Sequence, residues 1–225
     1  MAESQEITEA VCVHTRKIYD SCRDKDCVED LRLYPTAGSQ PYIETAFSVR
    51  PGAATLLYAD VNVDEISFNR GYYTVDVTYF YDVTGTAFPG ENTVRGLCVF
   101  NKRVMLFGSE GSAKIYASDG SSYDSAAQPV AVAECVDPIV LNMKLADACP
   151  VGLSADMRDI PSMILSHFGE ELVLADGARI LLCTLGQFSI IRLERDSQLV
   201  VPVYDYCLPD KECVPGQQDD PCSMF

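Results

Sequence analysis

The chain has 225 residues, 48% of them hydrophobic and 22% charged, the balance of a folded protein rather than a disordered one. Acidic residues outnumber basic ones 33 to 17, and the net charge of −16 repels phosphate backbones and anionic lipid surfaces. No nucleic-acid partner is therefore expected, and no membrane insertion either, since no run approaches the ~18 apolar residues that span a bilayer.

Residues 1–33 open with MAESQEITEAVCVH, which has neither a basic n-region nor an apolar h-region. The expectation is cytoplasmic synthesis without a secretory signal. This segment carries Cys12, Cys22 and Cys27, the last two framing the charged stretch DSCRDKDC. IYDSCRDKDCVEDLRLYP predicts a turn and then a short helix, with Asp26 as N-cap, Glu29 and Asp30 in the first turn and Pro35 closing it.

Residues 34–118 predict a first β block. TAFSVR (45–50), LLYADVNVDEISF (56–68) and YYTVDVTYFYDV (72–83) are rich in Val, Tyr, Phe and Thr. In the third, Val75, Val77, Tyr79, Tyr81 and Val83 share one face of a strand. Thr74, Asp76, Thr78 and Asp82 share the other, with Phe80 the exception. VRGLCVF (94–100) and RVMLF (103–107), separated by Asn101 and Lys102, have the spacing of a tight hairpin without its favoured Gly. A GSEG turn leads into SAKIYAS (112–118) and completes a meander.

Residues 119–129, DGSSYDSAAQP, have the composition of a linker. A second β block follows over 130–206. PVAVAECV (129–136) and IVLNMKLA (139–146) predict strands, and DIPSMILSHFG (159–169) predicts a helix with Asp159 as cap, Pro161 in the first turn and Gly169 at the C-terminal end. ELVLADGARILLCTL (171–185) predicts a hairpin at Asp176–Gly177. FSIIRLER and QLVVPVYDY continue the meander to about residue 206, and 207–225 is a cysteine-bearing arm. The expected fold is mainly β, with antiparallel sheets of sandwich or meander type, one or two short helices and disulfide-bearing termini.

Ten cysteines are many for a protein made in a reducing compartment. Cys22-x4-Cys27, Cys207-x5-Cys213 and Cys213-x8-Cys222 cluster, but no C-x-x-C occurs, so the common zinc knuckle and the thioredoxin motif are both missing. The two histidines, His14 and His167, are not convincingly placed as bases for a nucleophile, and no G-x-S-x-G, H-E-x-x-H or phosphate-cradling loop is present. The paired carboxylates Asp24/Asp26, Glu29/Asp30 and Asp219/Asp220 lack the spacing of a calcium loop. No catalytic residue, metal ligand or cofactor is assigned. Cys98 and Cys183 sit in apolar strand runs and read as buried, unreactive hydrophobes. Cys12, Cys22, Cys27, Cys207, Cys213 and Cys222 have charged or Pro-rich neighbours and are the candidates for disulfide cross-links, with Cys135 and Cys149 as further ones.

KIYDSCRDKDCVEDLRLY, FNRGYYTVDVTYFYDV with KRVMLFGSEG, and the closing YDYCLPDKECV…DPCSMF resemble a family of cysteine-rich proteins of clostridial spore-formers. Its members are associated with the spore coat and other spore-surface layers. The resemblance implies a non-enzymatic structural protein that assembles with itself, and with other coat proteins, at the spore surface and is locked by disulfides. The alternative that the residues leave open is a cytosolic metal- or redox-dependent binding module built on the terminal cysteine clusters.

Overall fold

The computed structural model describes residues 9–110, 115–116, 122–123, 128–147, 160–175 and 177–204. In chain order the elements are β1 (Glu9–Pro35), α1 (Gln40–Thr45), β2 (Ser48–Glu65), β3 (Tyr72–Phe88), β4 (Asn92–Phe107), β5 (Ile115–Tyr116), β6 (Ser122–Tyr123), β7 (Val130–Cys135), β8 (Ile139–Asp147), α2 (Ser162–Phe168) and β9 (Arg179–Val203). The protein is mainly β, as its alternating sequence predicts.

One antiparallel sheet runs in the order β2-β3-β4-β1-β9-β7, and β8 also pairs with β9. β2, β3 and β4 are a meander in register over most of their length. β1 is inserted between β4 and β9, so the N-terminal segment joins the two expected β blocks into one sheet. β2 packs in turn against β7 and β8, and the Leu56 amide donates to the Asp137 carboxylate at 2.9 Å. Two compact units result. One comprises Lys17–Arg195; the other takes in Glu9–Arg16 and, among the described residues, Asp196–Tyr204.

In the Lys17–Arg195 unit, period-two alternation decides which side chains are enclosed. Tyr73, Val75, Val77, Tyr79, Tyr81 and Val83 of β3 all face one core, where they meet Leu181, Leu185, Ile191 and Leu193 of β9. Tyr79 stacks on both Tyr81 and Phe100. Phe80, the exception in the strand pattern, points to the opposite face. There it joins Tyr34 and Leu97 in a second cluster beneath Ile164 and Phe168 of α2 and the neighbouring Leu172. Burying Ile164 and Phe168 stabilises this docking by roughly 1.5–3 kcal/mol each. α2 ends at Gly169, whose φ of 66° is the left-handed cap that glycine adopts without strain.

Several local expectations are corrected. The helix expected across Asp26–Pro35 is strand. Leu33 and Tyr34, both buried, face the inner and outer clusters respectively, which requires extended backbone. β4 is continuous where a hairpin was expected at Asn101–Lys102. Neither residue supplies the positive φ of a tight turn, and both are held across the sheet, Asn101 by the Thr78 hydroxyl at 2.7 Å. The strand expected at 45–50 begins only at Ser48, after α1.

The segment before Asp176 is not seen to pair with β9 as the expected Asp176–Gly177 hairpin requires, although Asp176 itself lies outside the described residues. Leu172 bridges Thr36 and the Val173 amide donates to the Pro35 carbonyl, so the segment before Asp176 pairs with the end of β1. ILLCTL, FSIIRLER and the start of QLVVPVYDY merge into the single strand β9. α2 begins after Pro161 without a side-chain cap. Ser122–Tyr123, inside the expected linker, pairs with Ile115–Tyr116. Asp159, Asp176, the rest of the linker and the arm 207–225 lie outside the described residues.

Candidate functional site

Everything proposed from the sequence depended on where the thiols lie, and the DSCRDKDC stretch shows how they are sorted. Its carboxylates are taken by a lysine from another strand. Lys102 of β4 donates from Nζ to Asp26 at 2.5 Å and to Asp24 at 3.0 Å. The lysine side chain is only 9% exposed and that of Asp26 17%, so this is an enclosed ion pair, whereas Asp24 is largely in solvent. Burial disfavours the ammonium, and the two carboxylates outweigh it, raising the Lys102 pKa above its ordinary value. The Phe107 amide donates to Asp20 at 3.0 Å, and Lys144 meets Asp30, just beyond the stretch, at 2.6 Å, fixing β1 at two further points. Carboxylates that read as loose acidic pairs are thus spent on holding β1.

Held in this way, β1 presents its cysteines differently. Cys22 packs against the inner core, and burial pushes its thiol up, with Lys102 opposing. Cys27 is exposed, as is Cys12 in the smaller unit. Cys135, opposite Ser189 on β9, is half-buried beside the Tyr79 hydroxyl, and burial raises its thiol too. A raised thiol is protonated at neutral pH and a poor nucleophile. Cys98 and Cys183 are fully buried, as the sequence predicts. All six cysteines among the described residues are free thiols. Cys149, Cys207, Cys213 and Cys222 lie outside those residues.

His167, on α2, is part of a polar clamp that the sequence did not reveal. Arg95 of β4 grips Asp82 of β3 with its Nε at 3.0 Å from both oxygens and its Nη2 at 2.6 Å from Oδ2. The His167 Nε2 stands 3.0 Å from that Nη2 and 3.1 Å from that Oδ2. One ring nitrogen either accepts from the guanidinium or donates to the carboxylate, so in either tautomer it is committed to the clamp. The Arg95 guanidinium also lies over the Phe168 ring. The cluster fastens α2 to the outer face of the sheet. Its only hope of detection in the sequence was the polar face of β3, where Asp82 alternates with inward apolar residues. His14, by contrast, is exposed on β1.

Among the described residues, no three His, Cys, Asp or Glu side chains gather as metal ligands would. Among the described residues, no helix is long and apolar enough to cross a membrane. No family model matches the chain, nor does any curated protein or solved structure.

Proposed function

We propose that the protein is a structural component that assembles with copies of itself into a layer or fibre locked by disulfides. The observation that supports this most is the character of the smaller unit. It brings together parts of β1 and β9, hydrogen-bonded neighbours in the sheet, and none of its described residues is buried. Leu199, Val200, Val201 and Tyr204 are exposed there, Val200 at 72%, and the exposed Cys12 belongs to the same unit. Paired strands without a buried face are marginal in water alone and gain stability when further strands cover them. A second copy meets that need and brings an identical thiol with it. Cys27 offers a second exposed position.

The spore coat or spore surface as the site of assembly, with other coat proteins as partners, rests on the sequence resemblance. It suits the chemistry: thiols made in a reducing cytoplasm cross-link when the surroundings later become oxidising. The test is electrophoresis of purified, air-oxidised protein without reductant. Multimers that collapse on reduction, and that diminish when Cys12 and Cys27 are replaced by Ser, are expected. A wild-type chain that stays monomeric after oxidation overturns the proposal.

A further inference from the structure

Lys102 interrupts an apolar strand face. On β4 it alternates with Phe100 and Val104, both packed against the inner core, and its partner on β3 is the buried Val77. On β1, the neighbour of β4 in the sheet, Asp26 stands four residues beyond Cys22, which packs against the same core. Both ends of the ion pair therefore belong to inward strand faces. The Lys102 Nζ lies 2.5 Å from the Asp26 Oδ2 and 3.0 Å from the Asp24 Oδ2, and the Lys102 and Asp26 side chains are only 9% and 17% exposed. An amine nitrogen thus touches one carboxyl group, with a second carboxylate alongside, largely out of bulk water. Reacting groups held in this way reach effective molarities of about 10⁵ M or more.

We propose that Lys102 and Asp26 condense into a side-chain amide that joins β4 to β1. The ammonium first yields a proton to the Asp26 carboxylate, leaving a neutral amine beside a neutral acid. The Nζ lone pair attacks the Asp26 Cγ, and the C–N bond forms. Asp24 takes a second proton from the nitrogen and passes it to the Asp26 hydroxyl, whose bond to Cγ breaks as it leaves as water. Nothing is oxidised or reduced, no co-reactant enters, and Asp24 ends as the carboxylate it began as. One positive and one negative charge vanish together, which removes an enclosed ion pair that is costly to desolvate. Burial opposes the ammonium, but the two carboxylates hold it charged, so the neutral amine is scarce and the link accumulates slowly after folding. Freshly folded protein carries the ion pair. The bond lies within one chain and needs neither assembly nor any thiol.

Intact-mass measurement tests this on the full chain, stored at neutral pH for increasing times and then denatured, reduced and alkylated. A species lighter than the sequence mass by one water is expected to grow in folded protein and not in chain stored in urea. Digestion should yield the peptide carrying Asp26 joined to the one carrying Lys102, in a branched form that reductant does not separate. K102R keeps a cation between the carboxylates without a condensing amine and should give no joined peptide. D24A, altered at a largely exposed position, should form the same link at least about tenfold more slowly. Wild-type protein that keeps its full mass after prolonged storage overturns the proposal, as does a water loss without the joined Asp26–Lys102 peptide. Formation at the wild-type rate in D24A overturns the role given to Asp24. Multimers that collapse on reduction bear on assembly alone, because reductant leaves this amide in place.

Discussion

Lys102 keeps its charge in a place where only two carboxylates from the DSCRDKDC stretch make that tolerable. Replacing it with Met leaves Asp26 enclosed without its counter-ion and is expected to cost about 2–3 kcal/mol in urea unfolding, less than for a fully sealed pair because Asp26 retains some solvent. The pH dependence follows from the raised folded-state pKa. The pair's contribution is complete below the ordinary lysine value of 10.5 and is lost as pH climbs through the higher folded value, so K102M should show a shallower alkaline loss of stability. Tyr81 presents the opposite case, a buried hydroxyl with no hydrogen-bond partner among the described residues. Tyr81→Phe removes an unsatisfied polar atom and is expected to be neutral or to stabilise by up to about 1 kcal/mol, read from the same unfolding curves.

At the scale of elements, the contact of β1 with β4 depends on an absent side chain. A Cβ on Gly96 would lie 2.4 Å from both the Leu33 Cδ2 and the Tyr34 carbonyl oxygen, and the latter is backbone that cannot swing away. Gly96→Ala is therefore expected to cost about 2–3 kcal/mol. Phe168→Ala, which empties the cluster under α2, is expected to cost about 3–4 kcal/mol, and both are measurable by thermal or denaturant unfolding. The elements also show what the sequence could convey. β3 was legible in its alternation over 72–83, including the anomaly of Phe80, because its two faces meet environments that differ in polarity, although the strand runs on to Phe88. β1 was not, since its helix-like charges are explained by Lys102 and Lys144, residues 76 and 114 positions away from their partners Asp26 and Asp30. The β9 side of the Asp176–Gly177 turn was recognised as strand, but its expected partner segment is claimed by Thr36 and Pro35. The exposed state of Cys27 followed from its charged neighbours, whereas Cys12, also exposed, stands between Val11 and Val13. Cys22 has the same kind of neighbours as Cys27, yet it lies on the face of β1 that packs against the core, a placement set by pairing partners distant in sequence.

For the whole molecule, a net charge of −16 sets copies of the chain against one another. Any self-association through apolar strands has to overcome that repulsion, which reaches only about 10 Å at 0.1 M salt. Assembly should accordingly be weak in dilute buffer and grow as salt is added, with light scattering across a salt series as the check. Assembly that falls as salt rises would point instead to contacts made by opposite charges.

The stacked phenols of the inner core carry a consequence for spectroscopy. The chain has twelve tyrosines and no tryptophan, so its near-ultraviolet signal is a tyrosine signal. Burial pushes Tyr79 and Tyr81 well above the ordinary value of 10.0 at which exposed phenols ionise. In an alkaline titration these two chromophores should remain silent while exposed rings change colour, and then ionise together as the sheet opens. Their delayed absorbance would make the core its own indicator dye.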